Sequence, residues 1–155
     1  SSNWWIVSCI LLCLCVSEIV VSNRLTIEQL KEKLLENNAV MVLDKTGKVS
    51  QWNDGSERLF GYSATEMQGQ SIDKIIPDDL RTAHNLAFVK YLSSEGSKHT
   101  KIITCDAVKK DGKPLAVSLV MRIVHVDGQP LAVVIANRQS DVQTLEIEKL
   151  SHKVN

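Results

Sequence analysis

A histidine lies within the apolar face of the most regular helical pattern in this chain. Between Asp78 and Leu92, apolar residues repeat at spacings of three and four, which is typical of one face of an amphipathic helix. The members of this face are Leu80, Ala83, His84, Ala87, Phe88, Tyr91 and Leu92. An imidazole on an inward-turned face needs a partner, because an unpaired buried polar group costs about 1–3 kcal/mol. A backbone carbonyl, a water molecule and a metal ion are the candidate partners, and the choice among them decides the chemistry.

The residues around this pattern indicate how the helix is placed. Pro77 and the acidic residues Asp78 and Asp79 predict its start, because carboxylates are stabilised near the positive end of the helix dipole. Asn85 and Lys90 fall on the opposite, outer face. The pattern therefore predicts an imidazole directed inward and a lysine on the solvent side.

Composition and charge exclude several classes of function. The 155-residue chain has 18 basic and 18 acidic residues, so nothing favours nucleic acid or another polyanion as a partner. We find no paired carboxylates, serine–histidine–aspartate set, phosphate-binding loop or metal-ligand cluster, and we predict a protein that binds rather than catalyses. Cys9, Cys13 and Cys15 lie in an apolar run, whereas Cys105 is isolated. This distribution favours a reducing compartment for Cys105 over a disulfide framework.

The N-terminal run Trp4–Val21 is apolar and carries a single charge, Glu18. A membrane-spanning helix needs roughly 17–25 predominantly apolar residues, and the basic residues Arg24 and Lys31 follow the run. We predict a single-pass transmembrane helix over residues 1–22, in the inner or plasma membrane, with the remainder in the cytoplasm. A signal-peptide core and a buried core helix are the alternatives.

Helical patterns flank the central part of the chain. Thr26 and Gln29 form a capping box that predicts a linker helix over residues 23–38. Its apolar stripe consists of Ile27, Leu30, Leu34 and Leu35. At the other end, residues 140–155 carry apolar residues at irregular helical spacing, which predicts the start of a longer C-terminal signalling helix.

Segments with strand character lie between these flanking helices. They are Ala39–Leu43, Val49–Asn53, Thr100–Lys109, Leu115–Val126 and Leu131–Asn137. Turn residues at Asp44–Gly47 predict a hairpin of the first two strands. The pairs Asp111-Gly112 and Asp127-Gly128 predict two-residue turns that join the last three strands into a meander.

Serine residues between the two groups of strands predict the starts of short helices. Ser56 precedes ERLFGY, Ser63 and Glu66 form a second capping box, and Ser71 precedes IDKII. The long helix with His84 follows. Two strands, a run of helices and three strands together predict an α+β domain, in which a five-stranded antiparallel sheet carries the helices on one face.

Residues 39–139 resemble a PAS domain. The resemblance rests on ERLFGY-S-x-x-E-x-x-G-x-S between Glu57 and Ser71, on the KKDGKPLAV hairpin and on the VDGQPLAVVIANR end. PAS domains are sensory and dimerising modules, commonly placed between a membrane segment and a histidine kinase, a diguanylate cyclase or a methyl-accepting chemoreceptor output. The resemblance implies the PAS fold, a homodimer formed through the flanking helices and an output domain of one of these kinds.

Within that family the long helix is similar to that of FixL-type haem-binding sensors. Those proteins place their haem-ligating histidine seven residues after a proline and follow it with a basic residue and a tyrosine; here the residues are Pro77, His84, Lys90 and Tyr91. The resemblance implies that His84 ligates the iron of haem b and that Lys90 lies near a propionate. Asn85 stands where those sensors have an aspartate.

Two hypotheses of function follow from the sequence. In the first, the domain binds haem or another small molecule at a site formed by His84, Lys90, Tyr91, Leu80 and Phe88, and relays the change to the C-terminal helix. In the second, it is a cofactor-free dimerisation and relay module.

Overall fold

The computed structural model describes residues 26–30, 32–33, 35–93 and 101–142. The chain divides into a unit of residues 1–34 and a unit of residues 35–155. In the first unit the described residues, 26–30 and 32–33, are helical, and Ile27 and Leu30 are exposed. In the described ranges no helix is long and apolar enough to cross a membrane. The predicted span over residues 1–22 lies outside those ranges.

The second unit is built on a five-stranded sheet whose neighbouring strands are all antiparallel. Its strands are β1 (Ala39–Leu43), β2 (Val49–Trp52), β3 (Lys101–Val108), β4 (Pro114–Val126) and β5 (Gln129–Arg138). Their order across the sheet is β2-β1-β5-β4-β3, so the last strand in the sequence is the central one. This arrangement confirms the predicted α+β class and the predicted meander of the last three strands.

Alternating burial along the strands defines the face on which the core lies. In β1, Ala39, Met41 and Leu43 are buried while the residues between them are half-buried. The same alternation in β5 buries Ala132, Val134 and Ala136. Because successive side chains of a strand point to opposite faces, these residues share the inner face, against which the helices pack.

The helices between β2 and β3 lie where the capping residues place them, with one exception. They are α1 (Asp54–Phe60), α2 (Ala64–Met67) and α3 (Arg81–Ser93), with 3-10 turns at Ile72–Ile75 and Asp78–Leu80. The Ser63–Glu66 capping box and the Ser71 cap are confirmed. The prediction that Ser56 begins a helix was wrong, because α1 begins earlier: Asn53 caps it by accepting a hydrogen bond from the Ser56 amide.

One of the two predicted Asp-Gly turns has a different length. Asp127 and Gly128 form a two-residue turn, and both have positive φ angles, 51° and 74°. The other loop has three residues, because the Lys109 amide pairs with the Lys113 carbonyl and the Gly112 amide donates to the Lys109 carbonyl. A left-handed Gly112, with φ of 82°, closes this three-residue loop.

The two ends of the described domain are helical. Residues 35–37 are helical just before β1, and residues 139–142 are helical just after β5. The rest of the predicted signalling helix, residues 143–155, lies outside the described ranges. The linker helix and the signalling helix as whole elements therefore stay predictions.

Candidate ligand-binding site

A cavity of about 370 Å³ lies between α3 and the inner face of the sheet. The 3-10 turn at Asp78–Leu80 and α3 contribute Leu80, Ala83, His84, Ala87, Phe88 and Tyr91 to its wall. Phe60, Ile72, Ile75 and Ile76, from the elements before them, also line it. The strands contribute, among others, Ile103, Cys105, Val117, Met121, Val134 and Ala136. A volume of this size falls within the usual range of small-molecule sites, which is about 300–1,000 Å³.

The apolar face of α3 lines this cavity instead of packing fully into the core. Phe88 and Tyr91 are its buried residues, whereas Ala83 and Ala87 keep exposed surface although they line the cavity wall. Leu80, in the 3-10 turn before α3, is 38 % exposed. Small side chains at positions 83 and 87 leave space that larger ones would fill, so this face borders a ligand-sized volume.

His84 is half-buried and has a side-chain partner. Its ring stacks on Phe88, with centroids 6.2 Å apart and an interplanar angle of 9°. Its Nδ1 lies 3.3 Å from Oδ1 of Asn85. The sequence predicted a backbone carbonyl, a water molecule or a metal ion as the partner of this ring. The structure instead places the side-chain amide of the next residue, Asn85, beside Nδ1.

Asn85 in turn connects His84 to the 3-10 turn at Ile72–Ile75. The Nδ2 group of Asn85 donates to Oδ2 of Asp73 over 3.5 Å. Asp73 is half-buried, and its Oδ1 is a buried atom without a hydrogen-bond partner in the described part of the chain. The side chains of Asp73, Asn85 and His84 therefore form a chain of contacts, and of these three residues His84 is the one that lines the cavity.

The structure brings together most, but not all, of the predicted site residues. Tyr91 is buried and its hydroxyl donates to the Met121 carbonyl over 3.4 Å, which ties α3 to β4. Leu80, His84, Phe88 and Tyr91 line one wall of the cavity, whereas Lys90 is exposed and does not line it. In the part of the chain that the structure describes, no contact connects Lys90 with the cavity.

The site also contains residues that the sequence did not single out, above all Cys105. Cys105 keeps exposed surface, yet it lines the cavity, and burial raises the pKa of its thiol with a further contribution from the Asp106 charge. The alternation of side chains along β3 could have predicted this position, since Ile103, Cys105 and Ala107 share the face of the strand that borders the cavity.

The electrostatics of the cavity favour a neutral, apolar ligand. Its described lining contains no lysine or arginine. Asp106 also borders the cavity, but it alternates with Cys105 and Ala107 along β3, so its side chain lies on the opposite face of the strand. The described residues also contain no group of three or more side chains that could hold a metal ion by themselves. An anionic ligand would therefore find no lysine or arginine in the described wall to balance its charge.

A separate polar network connects the segment before β1 with the end of β5. Nδ2 of Asn53 donates to the carbonyls of Leu35 and Asn38, at 2.8 and 2.9 Å. Its Oδ1 accepts from the amides of Val40 and Ser56, at 2.9 and 2.8 Å. We call Asn38, Asn53 and Asn137 the asparagine network, because Nδ2 of Asn137 donates to Oδ1 of Asn38.

The asparagine network depends on a close approach of α1 to the chain before β1. A Cβ atom on Gly55 would lie 2.1 Å from the Asn38 carbonyl oxygen, a distance that no side chain tolerates. Ser56 next to it is fully buried and donates through its hydroxyl to the Val40 carbonyl. No local pattern in the chain predicts these long-range contacts.

Comparisons with known proteins agree with this architecture. The crystal structure of a PAS domain of a protein from Colwellia psychrerythraea has a TM-score of 0.61 and 20% identity, and the match covers 72% of this chain and 96% of that one. The PAS domain of nitrogen regulation protein NR(II) from Vibrio parahaemolyticus has a TM-score of 0.52 and 22% identity, covering 65% and 88%.

A third similar structure contains a ligand. It is the PAS domain of the quorum-sensing receptor RpfR from Cronobacter turicensis in complex with C12:0, with a TM-score of 0.53, 14% identity and coverage of 66% of this chain and 94% of that one. These likenesses show the fold. The sequence model of the family described as PAS domain matches residues 37–138, and this chain therefore belongs to the PAS domain family.

Proposed function

We propose that this sensory domain binds a small, largely apolar molecule in the cavity and passes the change to the chain that follows β5. The observation that carries the proposal is the position of β5. Val134 and Ala136 on this strand line the cavity, and the chain becomes helical directly after it, at residues 139–142. One strand thus contacts both the ligand volume and the start of the output segment.

The relay needs a ligand that prefers one of two packings of the domain. A ligand shifts a conformational equilibrium only by its difference in affinity for the two states. Filling the space beside Val134 and Ala136 changes the packing of α3 against β5, and β5 transmits this change because it is paired on both sides, with β1 and β4. The C12:0 complex of the RpfR PAS domain shows that another protein of this fold accommodates a ligand.

A cavity-filling variant tests the binding step. Titration calorimetry of the 155-residue chain with 1-decanol should detect binding that Ala87→Phe weakens by about tenfold or more, since the new ring occupies the ligand volume. The matched control is Val89→Phe, which adds a ring on the same helix at an exposed position outside the cavity. Equal affinity of wild type and Ala87→Phe would refute binding in this cavity.

Hydrogen exchange tests the relay step. Ligand binding should change the exchange rates of the amides at residues 139–142 in the wild-type chain. The same ligand should leave those rates unchanged in Ala87→Phe. Binding without any change at 139–142 would contradict the relay through β5 and leave the binding step intact.

Haem b is a second candidate ligand, favoured by the imidazole of His84 on the cavity wall. A neutral imidazole is a suitable iron ligand, and a haem would supply an iron that binds a small gas or transfers an electron. The propionates fit less well, because Lys90 lies outside the cavity and the described lining has no lysine or arginine. An absorption spectrum after haem addition, with and without His84→Ala, tests this candidate, because a Soret band lost in the variant would support it.

A cofactor-free relay is the alternative function, and the asparagine network favours it. The network joins the segment before β1 directly to the end of β5 without involving the cavity. A change delivered to the segment at Leu35–Asn38 would then reach the output side through Asn137. Absence of ligand binding by the wild-type chain, together with altered hydrogen exchange at residues 139–142 in Asn137→Ala, would favour this route.

The wider setting is also proposed from the sequence. The apolar run Trp4–Val21, followed by basic residues, supports a single-pass membrane anchor with the PAS domain in the cytoplasm. The flanking helices support a homodimer and a C-terminal kinase, cyclase or methyl-accepting output. Protease protection of residues 1–22 in membrane vesicles would test the anchor, and exposure of this segment to protease would refute it.

A further inference from the structure

We propose that the ligand of this cavity carries a neutral hydrogen-bond donor, such as an alcohol, and that Nε2 of His84 accepts that hydrogen bond. The inference rests on the proposed function, since it names the chemical class of ligand for the same cavity. It is carried by the chain of Asp73, Asn85 and His84 and by the lack of lysine and arginine in the described lining of the cavity.

The orientation of the Asn85 amide is the first step. An ionised carboxylate accepts hydrogen bonds and donates none. Because Asp73 Oδ2 is 3.5 Å from the Asn85 side chain, the NH₂ group of the amide faces the carboxylate. The amide oxygen of Asn85 must then face the other way, toward His84, from which it is 3.3 Å.

The tautomer of His84 is the second step. An amide oxygen has no proton to give, so Nδ1 of the ring is the donor in this contact. In a neutral imidazole the second nitrogen is then an acceptor, and Nε2 carries a lone pair. Asp73 thus determines, through Asn85, which nitrogen of His84 remains available to a ligand.

The surroundings of Nε2 are the third step. None of the described side chains or carbonyls forms a hydrogen bond with Nε2, and the neighbouring wall residues Leu80, Ala83 and Phe88 are apolar. A ligand that covers this nitrogen without donating to it would leave a desolvated acceptor unpaired, which disfavours binding. A ligand with a hydroxyl at that point gains a hydrogen bond instead.

The charge of the cavity argues against an anionic head group. The described lining contains no lysine or arginine to pair with an anion. An anionic head group would therefore lose its hydration without gaining an opposite charge from these residues, which disfavours its burial. A neutral donor satisfies Nε2 without that cost.

Three probes built on a ten-carbon chain test this inference. Titration calorimetry of the 155-residue chain at pH 8 would compare 1-decanol, which donates, with decyl methyl ether, which only accepts, and decanoate, which is anionic. We expect decanol to bind about tenfold more tightly than the ether. Decanoate should bind more weakly than decanol.

Two variants distinguish a specific hydrogen bond from general packing. His84→Phe keeps an aromatic ring beside Phe88 but has no acceptor, so the preference for decanol over the ether should disappear. Asn85→Leu removes the amide oxygen to which Nδ1 donates, so neither tautomer of the ring is selected and the preference for decanol over the ether should shrink. Thr82→Leu, which places the same side chain at an exposed position of α3, is the control and should leave that preference unchanged.

The outcomes separate the inference from the function on which it rests. If the wild-type chain binds none of the three probes, the proposed function itself fails for ligands of this kind. If all three bind equally, or if His84→Phe retains the preference for decanol, the inference is overturned while cavity binding stands. Tighter binding of decanoate than of decanol by the wild type would also overturn it.

Discussion

The side-chain amide of Asn137 donates a hydrogen bond to Oδ1 of Asn38 over 3.0 Å. The two residues are 99 positions apart in the sequence, and they join the last turn before β1 to the end of β5. Both are half-buried. This contact places the beginning and the end of the PAS domain side by side, next to the start of the helical residues 139–142.

Loss of this contact should destabilise the domain measurably. Asn137→Ala leaves Oδ1 of Asn38 partly buried without this donor, so the free energy of unfolding should fall by about 1 kcal/mol. Urea unfolding followed by circular dichroism measures the change. Gln51→Ala, at an exposed position of β2, is the control. An unchanged midpoint in Asn137→Ala would show that the contact does not contribute to stability.

Gly55 should be far less tolerant of substitution than its helical position indicates. Alanine in a helix interior is ordinarily more stable than glycine by about 1 kcal/mol. Here the added Cβ would lie 2.1 Å from the Asn38 carbonyl oxygen, and overpacking of this kind costs about 3 kcal/mol. The steric cost exceeds the gain in propensity, so Gly55→Ala should be clearly destabilised in thermal unfolding.

Gly112→Ala provides the comparison for Gly55→Ala. Its Cβ would meet nothing within 4 Å, but its φ of +82° is left-handed, which costs about 1–2 kcal/mol for a residue with a side chain. The loss in Gly55→Ala should be the larger of the two. The reverse order would mean that the segment around Asn38 moves away from α1 at little cost.

Cys105 should react slowly with alkylating reagents at neutral pH. Burial and the Asp106 charge raise the pKa of its thiol, so less thiolate is present than for an unperturbed cysteine. Iodoacetamide labelling of the Cys105 peptide, followed by mass spectrometry, should be severalfold slower than labelling of a model peptide. Asp106→Asn should accelerate it, whereas Asp127→Asn, in the β4–β5 turn, should not. Ligand in the cavity should slow labelling further.

Asp44 should contribute to a loss of stability in acid. Burial acts to raise the pKa of its carboxyl, but hydrogen bonds from the Thr46 hydroxyl and from the Lys48 and Thr46 amides outweigh burial and hold the pKa below its ordinary value. A lowered folded-state pKa gives stability that is present above the unfolded-state value, about 4, and is lost as the pH falls through the folded-state value.

Asp44→Asn removes this titration and should therefore flatten the acid side of the stability profile. Unfolding free energies at pH 6 and pH 3 measure the effect. Asp79→Asn, at an exposed position before α3, serves as the comparison and should keep the wild-type slope. A wild-type slope in Asp44→Asn would show that other groups account for the acid dependence.

The elements of this fold were largely predictable because local patterns determine them. Apolar runs bounded by turn residues predicted the strands, and the Ser63–Glu66 capping box predicted the start of α2. The start of α1 was missed because Asn53, Asp54 and Ser56 are all good capping residues within a short stretch, and pattern alone does not decide among them. The Asp111-Gly112 turn was predicted at the right place but with the wrong length, because the same dipeptide suits loops of two and of three residues.

The site was predictable only in its helical half. Spacing placed Leu80, His84, Phe88 and Tyr91 on one face, but it did not show that Ala83 and Ala87 leave a cavity in front of that face. Such a volume depends on how far α3 lies from β3 and β5, which no local pattern encodes. The asparagine network was missed for a similar reason, since Asn38 and Asn137 are distant in sequence and ordinary in type.

The central position of β5 has a consequence for how the protein is made. During synthesis, the β1–β2 and β3–β4 pairs leave the ribosome before the strand that joins them, and each pair then has an open edge capable of recruiting another chain. Contacts such as Val40 with Ile135 close only when the final strand arrives. Nascent chains that stop short of Arg138 lack the strand that joins the two halves, so they are substrates for chaperones or aggregation rather than partial sensors.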